Sequence, residues 1–124
     1  MDLGISGRRA LVCGGSKGLG FAAAQSLGRE GVQLTLVART EASLREAAAQ
    51  LAGTCGVAVD FVAADLSVPE DRQRVLAACP DVEATSSLGS NIELNAPGVT
   101  KGSGLLALAE KLGLRRDQVM AVGD

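Results

Sequence analysis

Apolar residues in the first part of the chain alternate between short unbroken runs and stretches with helical spacing. The unbroken runs cover residues 9–13, 32–38 and 57–63, and each is typical of a buried strand. Helical spacing follows each run, over residues 18–30, 41–52 and 71–79. This repeated order of strand and helix predicts a parallel sheet wound with helices.

Polar residues at the helix starts predict how two of these helices begin. Thr40 precedes the second helix and can cap it. Ser67 and Glu70 have the spacing of a capping box before the third helix, with Pro69 in its first turn.

The pattern changes after Cys79. Residues 80–91 are polar and rich in turn formers, a short strand is predicted over residues 92–94, and a helix over residues 101–112. The final apolar run, residues 119–122, is predicted to be a fourth strand.

Placing that last strand beside the first gives an α/β fold with a Rossmann-like, doubly wound parallel sheet. The predicted strand order is 3-2-1-4, with helices on both faces and all 124 residues in a single domain. Ligands in such folds bind at the carboxyl ends of the strands. Those ends carry Gly14, Arg39, Asp65 and Asp124.

Composition narrows the chemistry that this sheet can support. The chain has no His, Tyr or Trp and only two Phe residues, so no imidazole or phenol can transfer a proton. The net charge of −2, with acids and bases interspersed, argues against nucleic acid and membrane partners. Three widely spaced Cys residues predict reduced thiols and a cytoplasmic protein. Exposed sheet edges leave a monomer and an edge-strand homodimer as alternatives.

The sequence C-G-G-S-K-G-L-G lies between the first strand and the first helix. Gly14 permits a tight turn, Gly18 a close backbone approach to a pyrophosphate, and Gly20 close packing of helix on strand. The start of the helix offers free N–H groups to phosphates. Arg39 stands where an NAD-preferring site has an acid and suits a 2′-phosphate. The alternatives are a tight turn without a ligand and a solvated surface arginine.

These residues resemble the short-chain dehydrogenase/reductases, which open with T-G-x-x-x-G-x-G. The resemblance runs from about residue 3 to 83, and A-A-D-L matches the acid that the family places near adenine. It implies an NADP-preferring nucleotide site. The implied cofactor-binding residues are Gly14, Ser16, Lys17, Gly18, Leu19, Gly20, Arg39, Asp65 and Leu66. Cys13 replaces the usual Thr, and neither the N-N-A-G motif nor the catalytic Ser, Tyr and Lys of the family is present.

From about residue 84 the chain resembles the C-terminal part of haloacid dehalogenase-like phosphatases of the sugar-phosphatase branch. Lys101 matches the lysine that steadies the phosphoryl group, and Asp124 matches the first acid of the magnesium motif. The nucleophilic Asp of that family is replaced by Cys13-Gly14-Gly15. A single carboxylate is a poor magnesium site, so no metal is expected. A solvated lysine and a frayed terminus are the alternative interpretations of Lys101 and Asp124.

These two resemblances, with a seam near Glu83 and Ala84, predict an engineered chimeric Rossmann-like scaffold without catalytic activity. The alternative is a weak NADP-binding module that retains the reductase glycine loop, and a residual reductase or phosphatase is the third interpretation. Asp124 is expected to weaken phosphate binding, because it lies across from the glycine loop in the 3-2-1-4 sheet.

Overall fold

The structure is a computed structural model that describes residues 2–85 and 93–122. The chain divides into two compact units, Met1–Cys79 and Pro80–Asp124. This division falls close to the predicted seam near Glu83. Among the described residues, no helix is both long enough and apolar enough to cross a membrane.

The first unit is built on a three-stranded parallel sheet. Its strands are β1 (Arg9–Cys13), β2 (Gln33–Ala38) and β3 (Val59–Ala63), and β2 lies in the middle. Cys13 pairs with Val37, and Ala38 pairs with Ala63. All three strands therefore end at one edge of the sheet.

Three helices connect and follow these strands: α1 (Gly18–Arg29), α2 (Glu41–Cys55) and α3 (Pro69–Ala78). Alternate residues of β2 point to opposite faces, as the pleat of a strand requires. Leu34 and Leu36 join a buried cluster with α1 and α2, whereas Val37 is buried in a second cluster that contains Val75 of α3. The sheet consequently has helices on both faces, which confirms the predicted Rossmann-like α/β fold.

The second unit contains a short antiparallel strand pair and one helix. Strand β4 (Glu83–Thr85) pairs with β5 (Glu93–Asn95), and α4 (Lys101–Lys111) follows. Thr100 caps α4, because its side chain accepts a hydrogen bond from the Ser103 N–H at 2.9 Å. A short 3₁₀ helix, Arg116–Gln118, comes next.

The predicted fourth strand is wrong, and with it the fourth place in the order 3-2-1-4. Residues 119–122 form no strand, and the side chains of Met120 and Val122 are 88% and 94% exposed. The backbone of a strand must exchange hydrogen bonds with a neighbouring strand. An apolar run does not show whether such a neighbour is present. The order 3-2-1 of the first three strands is confirmed. Asp124, assigned to the same edge, lies outside the described residues.

Both predicted helix caps in the first unit are also wrong in detail. Thr40 stands at the N-cap of α2, but its side chain makes no capping hydrogen bond. Helix α3 begins at Pro69 with Val68 as its N-cap, so Ser67 lies one residue too early to cap it. The Ser67 hydroxyl donates instead to Asp65 Oδ1 at 2.6 Å. A carboxylate is a strong acceptor for a hydroxyl donor.

Candidate functional site

An open cleft of about 430 Å³ lies at the carboxyl edge of the parallel sheet. The loops after β1, β2 and β3 all contribute to its walls, as expected for a ligand site in an α/β fold. Its lining residues are Gly14, Ser16, Lys17, Val37, Ala38, Arg39, Thr40, Ser43, Ala64, Asp65, Leu66 and Ser67.

The loop after β1 is held close against β2. Gly14 has a φ of 70°, a value that residues with a side chain rarely adopt. Its N–H donates to the Val37 carbonyl at 2.7 Å. Gly15 is buried, and a Cβ on it would stand 2.9 Å from Leu36 Cδ2. Glycine at these two positions therefore lets the chain turn directly over the middle strand. The requirement at Gly15 was missed by the sequence motif, whose fixed glycines are Gly14, Gly18 and Gly20.

Gly18, Leu19 and Gly20 do not line the cleft, although the sequence grouped them with its site residues. Gly20 instead packs on Gly14, since a Cβ on it would stand 2.7 Å from the Gly14 carbonyl carbon. Leu19 is 91% exposed. Gly18 adopts a φ of 59° as the first residue of α1. These residues shape the turn and begin the helix beside the cleft.

The start of α1 gives this part of the cleft a positive character. Lys17 is the N-cap of α1, and both Ser16 and Lys17 line the cleft. The first N–H groups of a helix have no partners within it, and they carry a partial positive charge. A phosphate at this position would meet backbone donors together with the charge of Lys17.

The loop after β2 adds a second cation and two hydroxyl groups. Arg39 follows the end of β2 directly and is exposed. Thr40 and Ser43 come from the N-cap and first turn of α2, and both line the cleft. Arg39 was a predicted site residue, whereas Thr40 was predicted only as a helix cap and Ser43 was missed. The sequence did offer a signal for both residues. Thr40 precedes the helix that follows Arg39, and Ser43 lies in the first turn of that helix.

The loop after β3 presents an ordered carboxylate. Asp65 Oδ1 accepts hydrogen bonds from the Ser67 hydroxyl at 2.6 Å and from the Ser67 N–H at 2.9 Å. The hydroxyl of Ser67, then its N–H, and the charge of Arg39 lower the pKa of Asp65 below its ordinary value. Asp65 is therefore ionised at neutral pH. Arg39 and Asp65 both line the cleft, so their opposite charges face the same space.

Six of the nine predicted site residues line one cleft. These six residues are Gly14, Ser16, Lys17, Arg39, Asp65 and Leu66. They come from three separate loops, which the parallel arrangement of the strands brings to one edge. The cleft combines two cations, helix N–H groups and a separate carboxylate. This combination suits an elongated ligand that carries phosphates at one part and a polar, uncharged group at another.

The parallel sheet with helices on both faces defines a Rossmann-like α/β class of protein. The sequence profile of the short chain dehydrogenase family matches residues 8–88, well over half of the chain. The chain belongs to the short chain dehydrogenase family.

Individual relatives agree with this assignment. L-xylulose reductase of Mesocricetus auratus is 41% identical over 61 residues, which are 49% of this chain and 25% of that protein. The crystal structure of L-sorbose reductase from Gluconobacter frateurii, complexed with NADPH and L-sorbose, is similar with a TM-score of 0.62 and 42% identity. That similarity covers 63% of this chain and 30% of the other. The chain thus spans about a quarter of the length of the curated reductase it matches.

A further match is to a phosphatase. The 5-amino-6-(5-phospho-D-ribitylamino)uracil phosphatase YcsE of Bacillus subtilis is 46% identical over 44 residues, which are 36% of this chain and 18% of that protein. This short match agrees in part with the phosphatase resemblance.

The expectation of an engineered scaffold without activity is wrong. The family match and the reductase relatives indicate a reductase-like protein. They favour the alternative interpretation of the sequence, a weak NADP-binding module that retains the reductase glycine loop.

Proposed function

We propose that this chain binds NADP(H) in the cleft at the carboxyl edge of its parallel sheet, as the nucleotide-binding part of a reductase. The observation that carries the proposal is that one cleft brings together the glycine loop, Arg39 and the Asp65-Leu66 pair. The similarity to a reductase whose structure was solved with NADPH supports the choice of ligand.

In this proposal the pyrophosphate lies against the start of α1. The loop from Gly14 to Lys17 supplies close backbone approach, helix N–H groups and one cation. A dinucleotide carries two negative charges on its pyrophosphate, and each charge-assisted hydrogen bond is stronger than a neutral one.

The 2′-phosphate of the adenosine ribose then meets Arg39, with the hydroxyls of Thr40 and Ser43 beside it. A guanidinium can donate two parallel hydrogen bonds to a phosphate, which a smaller cation cannot do. Arg39 occupies the place where an NAD-preferring site has an acid. The cleft therefore favours the phosphorylated cofactor.

Adenine is placed at the loop after β3, next to Asp65 and Leu66. Asp65 Oδ2 accepts no hydrogen bond within residues 2–85 and 93–122, and the N–H of Leu66 donates none there. An acceptor and a donor on adjacent residues complement the amino group and the ring nitrogen N1 of adenine.

The test is titration of the chain with NADPH, monitored by the fluorescence of the reduced nicotinamide, with NADH as the matched control. A saturable signal with at least about tenfold tighter binding of NADPH than of NADH is expected, since charged hydrogen bonds contribute about 1.5–3 kcal/mol. Absence of saturation up to about millimolar NADPH, a Kd range that corresponds to only about 4 kcal/mol, would contradict the proposal.

Catalysis by the chain is a separate matter. The absence of Tyr led to the prediction that these residues do not carry out hydride transfer by themselves, and this stays a prediction. Consumption of NADPH in the presence of L-xylulose or L-sorbose would contradict it.

We also propose that the segment from about residue 84 is related to the haloacid dehalogenase-like phosphatases. The 44-residue match to a phosphatase supports this relation. Lys101, at the first position of α4, is the residue that matches the phosphoryl-binding lysine. Hydrolysis of p-nitrophenyl phosphate with magnesium, compared between the wild type and Lys101→Ala, tests whether any phosphatase chemistry accompanies the relation. Turnover that Lys101→Ala abolishes would establish it.

A further inference from the structure

Helix α3 is joined to the loop after β3 by a set of hydrogen bonds. Asp71 Oδ2 accepts from the backbone N–H of Asp65 at 2.7 Å. Arg74 donates both to the Ala63 carbonyl at 2.9 Å and to Asp71 Oδ1 at 3.0 Å. Arg72 donates to the Leu66 carbonyl at 3.1 Å. The first turns of α3 thus hold every residue from the end of β3 to Leu66 except Ala64.

Asp71 accepts a backbone hydrogen bond at the point where the pairing of β3 with β2 ends. The N–H of Ala64 still bonds to the Ala38 carbonyl at 2.8 Å, which continues the pairing of β2 with β3. The next N–H, that of Asp65, bonds to Asp71 instead. The Asp71 side chain is 26% exposed and paired with Arg74, so its carboxylate is fixed by two partners. Asp71 therefore replaces the missing strand neighbour of Asp65.

The orientation of the Asp65-Leu66 peptide decides what this part of the cleft can recognise. Ser67 occupies Asp65 Oδ1, so Asp65 Oδ2 is the oxygen left to accept from a ligand. The Leu66 N–H follows one peptide later along the chain. The separation and direction of this acceptor and donor depend on the torsion angles around Asp65, which the bond from its N–H to Asp71 restrains.

We propose that Asp71 is a positioning residue that sets the selectivity of the cleft for adenine by holding the backbone of Asp65. This inference rests on the proposed function, since it concerns the base of the same dinucleotide. Asp71 is not expected to touch the ligand; it acts through Asp65 and Leu66.

The test compares NADPH with its deamino analogue, which carries hypoxanthine in place of adenine. The wild type is expected to prefer NADPH by about tenfold. Hypoxanthine has an acceptor oxygen where adenine has its donor amino group, and an N–H donor at N1 where adenine has an acceptor. Asp71→Ala is expected to reduce this preference to about twofold or less, because the backbone of Asp65 loses the hydrogen bond that restrains it. A general loss of stability would instead lower the affinity for both ligands equally and leave the preference unchanged.

Matched variants separate positioning from charge. Glu70→Ala removes a neighbouring carboxylate from the same first turn of α3 and is expected to keep the preference. Asp71→Asn retains an oxygen that can accept from the Asp65 N–H and is expected to restore most of it. If Asp71→Ala does not fold, Asp71→Glu carries the test, because it keeps the charge but displaces the acceptor.

Amide hydrogen exchange supplies a readout that needs no ligand. In Asp71→Ala the Asp65 amide is expected to exchange at least about tenfold faster, while the amides of β2 keep their protection. Faster exchange with no NADPH binding by the wild type would uphold the positioning role and contradict the proposed function. Wild-type binding with an unchanged preference for NADPH in Asp71→Ala, or in Asp71→Glu where that variant is used, would overturn the inference, whether or not the exchange of the Asp65 amide changes.

Discussion

Gly20 in the first turn of α1 lies directly against Gly14, the residue that follows β1. A Cβ on Gly20 would stand 2.7 Å from the Gly14 carbonyl carbon, closer than side chains approach a backbone. Gly14 is itself fixed by a 2.7 Å hydrogen bond from its N–H to the Val37 carbonyl. The loop that lines the cleft is consequently packed between the helix and the middle strand.

Gly20→Ala is therefore expected to destabilise the first unit by about 1–3 kcal/mol, the usual range for overpacking, and to weaken NADPH binding. Thermal unfolding and NADPH titration measure the two effects. Gly53→Ala is the control, because Gly53 lies in α2 and a Cβ on it would have nothing within 4 Å. That change is expected to stabilise by about 0.5–1 kcal/mol. Equal melting temperatures for the two variants would contradict the packing argument.

Arg39→Ala is expected to weaken NADPH binding by about 10- to 100-fold, since hydrogen bonds to charged groups contribute about 1.5–3 kcal/mol. NADH binding should change by less than about threefold, a loss of under 1 kcal/mol, because NADH lacks the phosphate. Arg45→Ala is the matched control: Arg45 lies on α2, pairs with Glu41 and does not line the cleft. A parallel loss of affinity for both cofactors in Arg39→Ala would place Arg39 away from the 2′-phosphate.

The lowered pKa of Asp65 makes a contribution to stability that depends on pH. Because the folded pKa lies below the ordinary value of about 3.9, this contribution is full above that value and is lost as the pH falls through the folded pKa. Asp65→Asn is expected to melt at a lower temperature than the wild type at neutral pH. It should lose less melting temperature than the wild type on acidification to about pH 3.

Melting curves recorded across this range check the expectation for Asp65. Asp71 has its own lowered pKa, caused by the N–H of Asp65 and then by Arg74, so part of the acid sensitivity should remain in Asp65→Asn. Asp60→Asn removes a carboxylate within β3 and serves as the control. Identical acid profiles for the wild type and Asp65→Asn would show that the bonds from Ser67 add nothing to stability.

Thr100→Ala is expected to destabilise α4 by about 1 kcal/mol, because it removes a capping box in which Thr100 and Ser103 bond each other's backbone. Thr40→Ala at the start of α2 should cost less, since the Thr40 side chain makes no capping bond. Amide hydrogen exchange in α4 and α2 measures each helix separately. A larger effect on α2 than on α4 would contradict the capping geometry.

The apolar pattern was sufficient for the three strands and three helices of the first unit. The middle strand buries Leu34, Leu36 and Val37, and the two flanking strands are partly buried, so each strand shows as a short apolar run in the sequence. The glycine loop was also predictable from the sequence. Gly14 has a positive φ and Gly20 contacts backbone closely, and few residues other than glycine tolerate either condition. Six predicted site residues from three loops line one cleft, because parallel strands end at the same edge of the sheet.

Residues 119–122 show the limit of prediction from a local pattern. Their apolar run is strand-like, yet a strand exists only where another supplies hydrogen bonds, and no short pattern encodes that partner. The same limit applies to Ser67, whose spacing suited a helix cap but whose hydroxyl bonds to Asp65.

The sequence by itself determined the α/β class, the order of the first three strands and the tight turn of the glycine loop, because these depend on the order of strands and helices along the chain and on local sterics. Only the tertiary structure decided that Thr40 and Ser43 join Arg39 in the cleft, and that Asp71 holds the Asp65 backbone. Those relationships depend on where one element ends beside another. The relative positions of these element ends are set by packing across the whole sheet and cannot be predicted from the spacing of residues along the chain.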